Sequence, residues 1–140
     1  IRTELTLERE ALYRDLFEET EYKVLEVLGF DFECELPYTP IREFCKKHLP
    51  LTSRDSIFEL SIKFCNDSFK IPLCLYFHPK ILAASCIHMA ALWRKNKGID
   101  CGLPLEINGH PWFKWVDSSI EQRNINEVID QMRVLYTQQP

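Results

Sequence analysis

The chain has 140 residues, 46% of them hydrophobic, enough to bury one substantial core and too few to call for two independent domains. Its net charge is −4, and eleven acids against four bases in residues 1–35 leave the remaining 105 at about +3. That balance excludes the broad basic footprint on which nucleic-acid binding depends, so one full domain with an acidic N-terminal appendage is expected.

The first element in chain order is a helix over residues 7–29. Leu12, Leu16, Tyr22, Val24, Leu25 and Leu28 make its apolar stripe, and Gly29 supplies the stop. Residues 30–37 alternate apolar and acidic side chains, but Pro37 and Pro40 turn the segment into an extended linker and a boundary. Thr39 as N-cap and Pro40 at the first helical position open a short second helix, whose narrow apolar face is Ile41, Phe44, Cys45 and His48. A third helix is expected from Ser53 or Arg54 to Lys70. Ile57, Leu60, Phe64 and Ser68 form one stripe and Phe58, Ile62, Cys65 and Phe69 the next.

After Pro72 and a short apolar connector, Pro79 begins a helix that is apolar or small on every face and stops near Gly98. Lys80 and Arg94 bound it at a length too short to cross a bilayer, so it belongs at the centre of other helices. Alanine and serine at 83, 84, 85, 90 and 91 let neighbours approach, while Ile81, Leu82, Ile87, Met89, Leu92 and Trp93 fill the gaps. Residues 99–117 read as irregular, with a short helical turn seating Trp112, Phe113 and Trp115 as a plug on the bundle end. Ser118 to Glu121 reads as a capping box for a last helix that runs to about Thr137 along Ile125, Val128, Ile129, Met132, Leu135 and Tyr136.

Little in the chain carries chemistry of its own. Histidines 48, 78, 88 and 110 fall on four segments without an H-x-x-x-H pair, and the six cysteines have no C-x-x-C spacing, so no metal site is expected. The cysteines read as reduced and intracellular, Cys65 and Cys86 acting as small hydrophobes in apolar helices. His88 reads as a core histidine; Cys86, two residues away, does not share its helix face and cannot pair with it as nucleophile and base. No phosphate-cradling loop or nucleophile elbow is present, so no catalytic residue and no cofactor is expected. Arg94, Lys95 and Lys97 complement the dipole at the end of the central helix.

Taken in order, several segments resemble the cyclin family, and within it the transcriptional cyclins of the T, K and L type. Leu28-Gly29-Phe30 followed by Pro37-Tyr38 is similar to the join between two cyclin boxes, although Leu36 stands where a histidine is usual. Phe64-Cys65-Asn66-Asp67-Ser68-Phe69 is similar to F-V-N-D-S-L, and Cys86-Ile87-His88-Met89-Ala90 to C-I-H-L-A. Trp112 to Asp117 resembles W-W-E-Y-V-D, and Leu135-Tyr136 the L-Y that closes the box.

The resemblance implies an all-α, cyclin-like five-helix bundle around a central buried helix. Residues 37–140 would be the second cyclin box, and residues 1–36 the last helix of a truncated first box with its linker. It implies a regulatory subunit, not an enzyme, that binds and activates a nuclear cyclin-dependent kinase acting in RNA polymerase II transcription. Further transcription regulators would bind the second box, and neither direct DNA contact nor membrane binding is expected. By position before Phe30, Glu21 falls on the family's kinase-facing glutamate and Leu25 on a pocket-lining aliphatic, with their lysine partner expected upstream of Ile1. The alternatives are a cyclin-fold general transcription factor core, whose mark would be a strongly basic face, and a helical adaptor that binds no kinase.

Overall fold

A computed structural model describes residues 6–138. The chain divides between Cys34 and Glu35 into two compact units. The first is built on α1 (Leu7–Val27), capped by the Thr6 hydroxyl, which accepts the Arg9 N–H at 3.4 Å, with Glu8 and Glu10 in the dipole-favoured first turn. It ends in a Schellman motif: the Phe30 N–H donates to the Leu25 carbonyl and the Gly29 N–H to that of Glu26. Gly29 and Phe30 both have positive φ (63° and 58°), which turns the chain off the helix axis.

The second unit contains α2 (Tyr38–His48), α3 (Leu51–Ser68), the single turn α4 (Leu73–Tyr76), α5 (Pro79–Asn96) and α6 (Gln122–Gln138). A two-residue hairpin, β1 (Glu106–Ile107) and β2 (His110–Pro111), and a 3-10 turn (Trp112–Trp115) stand between α5 and α6. As its composition demands, α5 is the hub and packs on α2, α3, α4 and α6. Leu82 to Ile87 and Met89 to Ala91 are all buried, whereas Trp93, expected among the gap-fillers, is 42% exposed. Its Schellman close places Gly98 at φ 75°. Arg94, expected only to complement the dipole, is 9% exposed and donates from Nε to the Asp100 carbonyl at 2.9 Å.

The buried line of α3 runs between its two expected stripes, through Ser53, Ile57, Ser61, Cys65 and Ser68. This buried line lies on a helix that packs on α5, and its Ser53 meets Gly102 beyond the end of α5, donating to the Gly102 carbonyl at 3.4 Å. Across the seam between α3 and α5 the Cys65 and Cys86 thiols interact; the Cys65 thiol first, and then burial, raise the Cys86 thiol well above its ordinary range.

Three sequence expectations are corrected by local hydrogen bonding. Helix α2 starts at Tyr38, with the Ile41 N–H on the Pro37 carbonyl; Thr39 and Pro40 therefore sit inside the first turn, where a missing N–H costs nothing. Helix α3 starts at Leu51, earlier than the expected Ser53 or Arg54, because the Pro50 carbonyl accepts the N–H groups of Ser53 and Arg54, and Ser53 is buried. No capping box forms at Ser118: Asp117 accepts from the Ser119 N–H and hydroxyl, and the Glu121 N–H donates to Asn124 Oδ1 at 2.9 Å. Glu121 spends its carboxylate on Arg123, 2.7 Å away.

Three of the segments that carry the family resemblance, those containing Tyr38, Phe64 to Phe69 and Tyr136, meet at the C-terminal end of α3. Tyr38 of α2 donates its hydroxyl to Asn66 Oδ1 at 2.6 Å, and Tyr136 of α6 donates to Asp67 Oδ2 at 2.7 Å. Ser68 closes the turn by donating to the Cys65 carbonyl at 2.6 Å. Stacking of Tyr38 on Phe69 and the edge contact of Tyr136 with Phe64 complete a latch that ties three helices together. Burial first, and then the bond to the Asp67 carboxylate, raise the Tyr136 phenol above its ordinary range.

Tyr136→Phe should cost about 1 kcal/mol in urea unfolding at neutral pH, the worth of a partly exposed hydrogen bond to a charged acceptor. Because the folded-state phenol titrates above the unfolded one, that penalty should hold below about pH 10 and shrink as pH rises through the raised value. A second expectation concerns two glycines with equally positive φ. A Cβ on Gly102 (φ 69°) would lie 2.5 Å from Ser53 Cβ, whereas one on Gly109 (φ 82°) meets nothing within 4 Å. Gly102→Ala should therefore cost about 2–4 kcal/mol and Gly109→Ala about 1 kcal/mol by the same assay.

Candidate functional site

The two residues singled out for partner binding lie on α1. Glu21 and Leu25 are one turn apart on the same helical face. Leu25 also accepts the Phe30 N–H, so the motif that ends the helix fixes the backbone of the pair. Two acids of α1 are paired within the helix, Glu10 with Arg14 at 3.7 Å and Glu19 with Lys23 at 3.5 Å, whereas Glu8, Asp15, Glu18 and Glu26, like Glu21, have no ion pair among the described residues. Glu21 is exposed and has no ion pair among the described residues. Leu25 is half-buried, and no residue of α1 is buried, so Leu12, Leu16, Tyr22, Val24 and Leu28 lie open to solvent.

In the second unit, the titratable groups that might have carried chemistry are built into packing. His88 is stacked on Trp112 with ring planes 6° apart, and burial pushes its pKa down. Burial drives the Cys45 thiol up to about 12, away from any nucleophilic role. Among the described residues no three His, Cys, Asp or Glu side chains gather as a metal site, and no helix is long and apolar enough to cross a membrane.

The ring cluster at 112–115 behaves differently from the single plug expected. Trp112 is buried against Phe44 and Phe113 is buried against Trp112, whereas Trp115 is 39% exposed and is held by its indole N–H donating to the Ile107 carbonyl at 2.8 Å. The hairpin that supplies this carbonyl turns at Asn108-Gly109, both at positive φ as a type I′ turn requires. That dipeptide was the available signal for the hairpin.

Residues 38–134 match the family described as Cyclin-T2-like, C-terminal domain. The chain is similar to Cyclin-T1-4 of Arabidopsis thaliana, 33% identical over 125 residues covering 89% of this chain and 21% of the relative. Cyclin-T1-3 of Oryza sativa subsp. japonica is 34% identical over 118 residues, 84% of this chain and 22% of the relative. Cyclin-T of Drosophila melanogaster is 25% identical over 132 residues, 91% of this chain and 11% of the relative. The chain thus spans about a fifth of the plant relatives' length. With more than half of its residues matched to that domain, in an all-α cyclin-like fold, the chain belongs to the cyclin-T family.

Proposed function

We propose that this chain is part of a regulatory cyclin that binds and activates a cyclin-dependent kinase acting in RNA polymerase II transcription, in the nucleus. In this reading residues 1–36 are the last helix of a first cyclin box and its linker, with the rest of that box encoded ahead of Ile1. Residues 37–140 are the second box, which braces the first and offers surface to further regulators.

The observation that carries the reading is the pairing of a cyclin-T C-terminal domain with a preceding helix whose aliphatic row is uncovered and whose Glu21 is unpaired. A cyclin supplies no catalytic group. It binds the active arrangement of the kinase more tightly than the inactive one, so that the lysine–glutamate ion pair inside the kinase forms more often. Glu21 would contribute a charged contact and Leu25 part of an apolar seat for the kinase helix. A phosphate-tracking role fits poorly, since the net charge is −4 and the acids concentrate in α1.

The test is capture of transcriptional cyclin-dependent kinases by the longer protein that contains this chain, followed by phosphorylation of a polymerase-tail peptide. Wild type should capture an active kinase, and Glu21→Lys should lower capture about tenfold, as reversal of a desolvated interfacial charge does. The 140-residue chain alone should capture much less. Capture of no kinase, or undiminished capture by both Glu21→Lys and Leu25→Asp, would contradict the reading.

A further inference from the structure

An open cavity of about 240 Å³ lies between α2 and α3, with Arg42, Lys46, Arg54 and Asp55 arranged around Cys45 and Phe58. Three cations against one carboxylate leave this lining at net +2, on a chain whose own net charge is −4. Arg42 and Lys46 stand one turn apart on α2. None of the four charged side chains has an opposite charge within 4 Å among the described residues, so their charges are not spent on one another. Arg54 is the fixed member of the group. Its Nη2 donates to the Leu49 carbonyl at 3.1 Å, whereas its Nε is buried and finds no acceptor among the described residues. A buried donor without an acceptor is costly, the more so on a charged group, and an anion entering the cavity would supply one.

The excess charge decides the class of ligand. A single carboxylate would leave part of it uncompensated, whereas a phosphate monoester, close to a dianion at neutral pH and carrying three acceptor oxygens, matches both the charge and the supply of donors. Three cations are too few to track a polyanion backbone, which the net charge of the chain also repels. The cavity has room beside Phe58 and Cys45 for the carbon side chain that bears the phosphate. We propose that this cavity binds the phosphate of a phosphorylated serine or threonine in a partner protein, held by Arg54 and flanked by Arg42 and Lys46. The site is built entirely from the second unit and does not depend on kinase binding by α1.

The probe is a short alanine peptide with one central phosphoserine, blocked at both ends, titrated into the isotope-labelled 140-residue chain while the Arg54 Nε–H resonance is followed. Its comparisons are the same peptide with serine or glutamate at the centre, and inorganic phosphate. The phosphopeptide should move the Arg54 signal, the serine peptide should not, and both the glutamate peptide and inorganic phosphate should bind about fivefold or more weakly than the phosphopeptide. Arg42→Glu and Lys46→Glu should each weaken phosphopeptide binding about fivefold or more, while Lys47→Glu, the same charge change on an adjacent lysine outside this lining, should leave it within about twofold. All three positions are exposed, so the variants are expected to fold, which circular dichroism checks directly. No shift at Arg54, a phosphopeptide bound no more tightly than the glutamate peptide or inorganic phosphate, affinity indifferent to Arg42→Glu and Lys46→Glu, or an equal loss in Lys47→Glu would each overturn the proposal.

Discussion

A helix with no polar face has to be enclosed on all sides, and the second unit of this protein follows from that constraint. Helix α5 has charged side chains only at Lys80 and in its last turn, so leaving any of its faces in water would expose apolar surface at roughly 25 cal/mol per Å². Enclosure by four helices is sterically possible because α5 carries alanine or serine at 83, 84, 85, 90 and 91, and the buried line of α3 includes the small residues Ser61, Cys65 and Ser68. Enlarging such positions forces neighbouring helices apart, at a typical cost of about 1–3 kcal/mol. The large residues Ile57, Leu82, Ile87 and Met132 fill what the small ones leave.

Around that hub, the residues that mark the family turn out to be structural. Tyr38, Asn66, Asp67, Ser68 and Tyr136 come from three helices and meet in one hydrogen-bonded latch. Their value lies in registering α2 and α6 against α3, which explains why they stand out as motifs although none has chemistry to perform. Function therefore has to be sought on what the packing leaves over. On α1 that is an exposed apolar row beside several unpaired carboxylates, Glu21 among them.

Most of the helical plan was legible because the apolar periodicity is long and the stops are explicit. Gly29 and Gly98 end α1 and α5 in the left-handed conformation that glycine favours. Helix starts were less legible. The sequence offers Thr39 and Ser118 as caps and a third-helix start at Ser53 or Arg54, yet prolines at 37 and 50 and Asp117 accept the relevant N–H groups first. The hairpin at 106–111 has two residues per strand, too few for alternation to register, so only Asn108-Gly109 announced it. Tertiary choices such as burying Arg94 or exposing Trp115 depend on carbonyls of Asp100 and Ile107 that no local pattern places. For the candidate site, chain position reached Glu21 and Leu25, but whether a partner covers them is a property of another molecule.

The central claim is the proposed division of labour: a bundle organised on α5, and an α1 with no buried residue that is proposed to bind the kinase. An isolated helix of this length is marginal in water without tertiary cover. Hydrogen exchange read by mass spectrometry compares the two helices in one experiment, first on the 140-residue chain and then on the longer protein with kinase bound. Amides of α5 should exchange only through global unfolding in both samples, while those of α1 exchange quickly in the chain alone and become strongly protected in the complex. An α1 as protected as α5 in the chain alone, or one that kinase leaves unchanged, would contradict this division.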